Sequence, residues 1–90
     1  MELNEIRGEI DRVNDEILRL FVNRMALSDR VAEIKREKGL PVYCPDREAE
    51  ILERVQASAG EYADEARTLF ETILAVSRKR QEKLLKEAEK

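Results

Sequence analysis

Residues Leu3–Lys38 read LNEIRGEIDRVNDEILRLFVNRMALSDRVAEIKREK. Their apolar side chains fall at Leu3, Ile6, Ile10, Val13, Ile17, Leu20, Leu27, Val31 and Ile34, stepping by alternate threes and fours. That rhythm predicts one long helix with a seam that packs against other helices over many turns. Between Leu20 and Leu27 the seam asks for a hydrophobe and carries Arg24 instead. An arginine facing a helical core needs an anion opposite, because an unpaired buried charge costs far more than one lost apolar contact. A carboxylate of the protein or one on a ligand would serve.

Gly39 supplies a left-handed stop after this helix, and Pro41 follows closely. From Leu3 to there the helix would run roughly 50 Å, too long for a single domain of this size to surround. Part of it must project and asks for a partner chain. Gly8 costs about 1 kcal/mol against Ala in a helix interior, so the start frays or something packs closely there. Leu40 to Cys44 form a connection. Pro45, Asp46 and Glu48 then suit the first turn of a short second helix, expected from about Pro45 to Ala57 with Ile51, Leu52 and Val55 inward. Ser58, Ala59 and Gly60 break the pattern. A third helix is expected from about Tyr62 or Asp64 to the C-terminus, with the stripe Ala66, Leu69, Phe70, Ile73, Ser77, Gln81, Leu84 and Ala88.

The fold class expected is therefore all-α, one domain over residues 1–90. Charged residues make up 41% of the chain and aromatics 4%, which leaves little bulk for a core, so a homo-oligomer is expected. A net charge of −3, with acids and bases interspersed, argues against a general nucleic-acid or membrane-surface binder. Cys44 is the sole cysteine, which rules out an intramolecular disulfide, and no apolar stretch reads as a leader or a span, so a cytoplasmic protein is expected. Histidine is absent, so neither a metal nor another cofactor is expected.

Polar groups stand on the inward side of all three helices: Arg24 and Lys35 on the first, Glu48 beside Arg47 on the second, Ser77 and Gln81 on the third. Eleven residues turn a helix through almost whole revolutions, so Arg24, Ser28, Val31 and Lys35 share a face. Taken singly, each charge reads as an interhelical salt bridge, and Glu48 as an acid favouring the helix dipole. Together they describe a pocket for a small, doubly anionic molecule. With no nucleophile or metal in the set, the chemistry left is placement and electrostatics.

The chain resembles the all-helical AroQ class of chorismate mutase. The likeness runs ungapped from Arg7 to Glu48 and resumes through the third helix. It is carried by Ile-Arg-Gly-Glu-Ile-Asp with Arg7, Val-Asn-Arg with Arg24, Val-Ala-Glu-Ile-Lys ending at Lys35, Pro-Asp-Arg-Glu with Arg47 and Glu48, and Ser77 with Gln81 after Phe70. The resemblance implies a three-helix protomer in an intertwined homodimeric bundle with two sites, each bordered by both chains. It implies the Claisen rearrangement of chorismate to prephenate, on the route to phenylalanine and tyrosine. By position, Arg7 of the partner chain and Arg24 would bind carboxylates, with Arg47 and Ser77 beside them. Lys35 and Gln81 would donate to the ether oxygen, and Glu48 would accept from the ring hydroxyl.

Spacing bears on the two-chain site. Arg7 and Arg24 are seventeen residues apart, roughly 25 Å along one helix, so one small ligand cannot touch both unless an antiparallel copy brings its own Arg7. Otherwise Arg7 is a surface charge. Where members of the class often carry Asp, this chain has Cys44. A backbone N–H contact there tolerates the exchange, a side-chain contact does not, and the flanking loop and Pro45 suit a capping position better than an activated thiol. Two alternatives share the fold: an isochorismate-pyruvate lyase, which the Glu48 and Gln81 pair disfavours, and a non-catalytic dimerisation or regulatory module, which the complete polar set disfavours.

Overall fold

The computed structural model describes residues 2–89. Helix α1 spans Leu3–Lys38, α2 Pro45–Ser58 and α3 Ala63–Ala88, with a short 3-10 turn at Gly60–Tyr62 before α3. Among the described residues there is no strand. No helix among them is long and apolar enough to cross a membrane.

The ends of the helices follow local chemistry. Gly39 takes the left-handed conformation, φ 67° and ψ 30°, which costs a glycine nothing. The Leu40 N–H then donates to the Lys35 carbonyl at 2.8 Å and the Gly39 N–H to the Arg36 carbonyl at 3.3 Å, satisfying carbonyls that the helix would leave unpaired. Lys35, Arg36 and Lys38 in that last turn face the negative end of the dipole. At the start of α2, Pro45 occupies the first turn behind the N-cap residue Cys44, and Asp46 and Glu48 sit at the positive end. The Cys44 thiol makes no capping hydrogen bond; its backbone carbonyl accepts the Glu48 N–H at 3.1 Å.

Helix α3 packs against both α1 and α2, while the backbones of α1 and α2 stay apart. The molecule is a blade of 54 × 27 × 14 Å. Its Cα radius of gyration is 16.4 Å, where a compact chain of this length has about 12 Å. The long dimension is α1. Leu3, Ile6, Ile10, Val13, Ile17 and Leu20 are all exposed on the protomer, as are Leu27, Val31 and Ile34 further along. The helix does not fray at Gly8, and a Cβ placed there meets nothing in the protomer within 4 Å.

Burial is concentrated elsewhere. Ala32 and Leu74 are the buried hydrophobes, and Ser28, Ser77 and Gln81 are buried beside them. The most enclosed part of the protomer is therefore more polar than apolar, the reverse of an ordinary core. The α3 stripe differs from the sequence expectation in one respect. Leu74 is buried and Leu69 is exposed, because α3 serves two neighbours and its inner face widens beyond one narrow row.

Candidate functional site

The gap left between α1 and α2, floored by α3, is a cavity of about 300 Å³. From α1 come Arg24, Leu27, Ser28, Val31 and Lys35, the face that the eleven-residue spacing predicts. The connection and α2 add Val42, Cys44, Arg47, Glu48 and Ile51, and α3 adds Leu74, Ser77, Arg78 and Gln81. All the singled-out residues except Arg7 thus line one hollow. Arg7 lies seventeen residues up α1 from Arg24, about 25 Å away along the helix.

The cations there have little acid to spend themselves on. The Arg24 Nη1 donates to the Ser77 Oγ at 2.8 Å, and among the described residues no carboxylate lies within ion-pair reach of Arg24. Ser77 in turn approaches the Met25 sulfur at 4.0 Å. The Lys35 Nζ donates to the Val42 carbonyl at 2.7 Å, tying the connection to α1 while two of its three donors stay uncommitted. Arg47 pairs with Glu50 one turn along α2, at 2.5 Å on the exposed side. A half-buried guanidinium matched only by a neutral hydroxyl is a place prepared for an anion.

Gln81 is buried, and its Nε2 donates to the Ser28 Oγ at 2.7 Å. Its Oε1 is buried with no partner among the described residues. A half turn of the amide exchanges the two ends, letting the Ser28 hydroxyl donate to Oε1 and leaving the N–H₂ group unspent. Glu48 is the single carboxylate in the lining among the described residues, and it is held by Arg78 through an ion pair with Nη1. The guanidinium carbon of Arg78 also lies 5.1 Å from the centroid of the Tyr43 ring. The hydrogen bond to Glu48 raises the Arg78 pKa above its usual value, against the opposing pull of burial. Cys44 lines the cavity with its thiol exposed. Among the described residues no cluster of acids and cysteine could hold a metal ion.

Two contributors escape a reading of the sequence alone. Arg78 follows Ser77 and precedes Gln81 by one turn, so helical neighbourhood could have flagged it, but it lies in the run Arg78-Lys79-Arg80 and passes for a solvated charge. The Val42 carbonyl is backbone and leaves no mark in the sequence. Ser28 is placed on the right face by its spacing; its contact with Gln81 comes from the packing of α1 on α3.

Known proteins resemble this chain. The family model for chorismate mutase type II matches residues 6–82, from Ile6 just ahead of Arg7 to one residue past Gln81. A bifunctional chorismate mutase/prephenate dehydratase of Aquifex aeolicus is 50% identical over 54 residues, covering 60% of this chain and 15% of that protein. A chorismate mutase of Methanocaldococcus jannaschii is 39% identical over 61 residues, covering 68% of this chain and 62% of its own length. This chain therefore spans only a part of these relatives. A chorismate mutase structure from Thermus thermophilus superposes with a TM-score of 0.85 at 38% identity, over 89% of this chain and 93% of that one. A match that takes in all three helices and every polar residue of the cavity places the chain in the chorismate mutase type II family.

Proposed function

We propose that the protein is a chorismate mutase, an isomerase that converts chorismate to prephenate in aromatic amino acid biosynthesis, and that it works as a homodimer with two sites shared between chains. The observation that carries this reading is Arg24: a half-buried guanidinium, facing a cavity, with a neutral hydroxyl as its only partner among the described residues. A substrate carboxylate completes that pairing. The exposed seam of α1 supports the second chain, since its residues Leu3, Ile6, Ile10, Val13, Ile17 and Leu20 stand in water on a lone protomer. An antiparallel copy of α1 covers them and brings its Arg7 to the Arg24 end of the cavity.

The rearrangement is pericyclic: the ether C–O bond breaks as a C–C bond forms, and no proton is transferred. A site without histidine loses nothing by lacking a general base. What accelerates the step is holding the enolpyruvyl arm over the ring and placing donors where negative charge grows on the ether oxygen. Arg7 of the second chain and Arg24 grip the carboxylates, with Arg47 turning from Glu50 and Ser77 supporting. Lys35 donates to the ether oxygen with an N–H not used by Val42, and Gln81 adds a neutral donor once its amide is seated on Ser28. Glu48 accepts from the ring hydroxyl, and the backbone N–H of Cys44 is a further donor at the α2 end.

Loss of chorismate absorbance on adding purified protein tests the activity, and isochorismate assayed alongside separates a mutase from a lyase. The shared site has its own test. Arg7→Ala and Arg24→Ala homodimers should each be inactive, and mixing them under exchange should restore about a quarter of wild-type turnover, because half the dimers then hold one intact site of two. No recovery on mixing would mean that both arginines serve one chain's site.

A further inference from the structure

Glu48 poses an electrostatic difficulty. Among the described residues it is the single acid lining a cavity that, on the proposed activity, receives a dianion, and its side chain is only 18% exposed. A bare carboxylate there would repel the ligand it is meant to hold, in surroundings where screening is weak. Arg24 and Lys35 face the same cavity from α1 but bond to Ser77 and Val42, and Arg47, next to Glu48 on α2, pairs with Glu50. Cys44 is exposed at the N-cap of α2. None of their side chains is bonded to the Glu48 carboxylate.

Arg78 is. Its Nη1 donates to the Oε1 of Glu48, while Oε2 has no hydrogen-bond partner among the described residues. The same guanidinium lies against the Tyr43 ring, so it joins the connection, α2 and α3 where they border the cavity. We infer that Arg78 is a positioning residue for the reaction: it offsets the charge of Glu48 and fixes its direction, so that one oxygen stays free to accept a substrate hydroxyl without repelling the carboxylates. Glu82, one turn beyond on α3, adds a weak acidic influence on Arg78 and does not bond to it.

The inference rests on the proposed activity, and wild-type turnover of chorismate is measured first. Two variants then separate charge from shape. Arg78→Gln keeps a donor toward Glu48 and discards the charge; Arg78→Lys keeps the charge. Arg78 is partly exposed, so both should keep the wild-type helical content. Arg78→Gln should raise KM about tenfold, and should raise it far less when Glu48→Gln is already in place, since the charge that Arg78 offsets is then gone. Arg78→Lys should recover most of the change. Unchanged KM in Arg78→Gln overturns the inference. So does an equal rise in KM with Glu48→Gln in place, which would put Arg78 on the ligand itself, and so does equal damage from Lys and Gln. Absence of turnover in the wild type overturns the activity and this role together, an outcome separate from an active enzyme indifferent to residue 78.

Discussion

The two halves of α1 share one spacing and put it to different use. From Leu3 to Leu20 every seam position is apolar and every one is exposed on the protomer. From Arg24 to Lys35 the helix turns Arg24, Ser28 and Lys35 to the cavity, and Ser28 and Ala32 are buried against α3. The first half has hydrophobes without cover, the second has polar groups under cover. In water each arrangement is costly alone. On the proposed function a second chain resolves the first and an anionic ligand the second, so that the contrast divides assembly from chemistry along a single helix.

The sharpest way to break that division is to cut each half and see which property fails. Lys35→Ala should lower kcat/KM about a thousandfold or more, some 4 kcal/mol of transition-state stabilisation, because it removes the charged donor proposed for the ether oxygen. Circular dichroism should be unchanged, since the Lys35 head group holds only the Val42 carbonyl. Near-normal turnover would take Lys35 out of the reaction. In the other half, Ile17→Asp should put a carboxylate into the seam that the proposed second chain covers, at about 3 kcal/mol or more. Light scattering should then report one chain where the wild type should report two, with reduced helicity. A variant that keeps the wild-type mass would show that the seam is not where the chains meet.

What was legible beforehand follows the same line. Arg24, Glu48, Ser77 and Gln81 could be picked out because each interrupts an apolar rhythm, and an interruption is visible in a single sequence; Lys35 could be picked out because it shares the face of Arg24, eleven residues on. The bounds of α1 and the start of α2 were legible for a local reason, since Gly39 and Pro45 each impose one backbone solution. The start of α3 was less so. The 3-10 turn at Gly60–Tyr62 depends on Gly60 at φ 58°, and neither its length nor the exchange of Leu74 for Leu69 on the inner face can be had without knowing what α3 packs against. Arg78 interrupts nothing. Its importance arises from Glu48 and Tyr43, thirty or more residues away in sequence, and only the packing of α3 on α2 brings them together.

Asp29 and Arg80 sharpen the contrast from the small end. They too join α1 to α3, by two hydrogen bonds of 3.1 Å, but Asp29 sits beside Ser28 and neither residue of the pair lines the cavity of Arg24 and Lys35. Their side chains are 33% and 39% exposed, so solvent screens the pair. The hydrogen bond from Arg80 holds the Asp29 carboxyl below its ordinary range, with desolvation opposing and the charge of Arg80 assisting. A carboxyl whose folded pKa is depressed stabilises fully above its unfolded value, about 3.9, and loses that contribution as pH falls through the folded value. Asp29→Asn should therefore lower the thermal midpoint by a few degrees at most near pH 7, with the difference closing as the pH drops below about 4. Turnover should stay within a factor of about two, as expected for a screened pair outside the cavity. A loss of activity comparable to that of Lys35→Ala would extend the working half of α1 around its circumference, and the outer face could no longer be treated as scaffold.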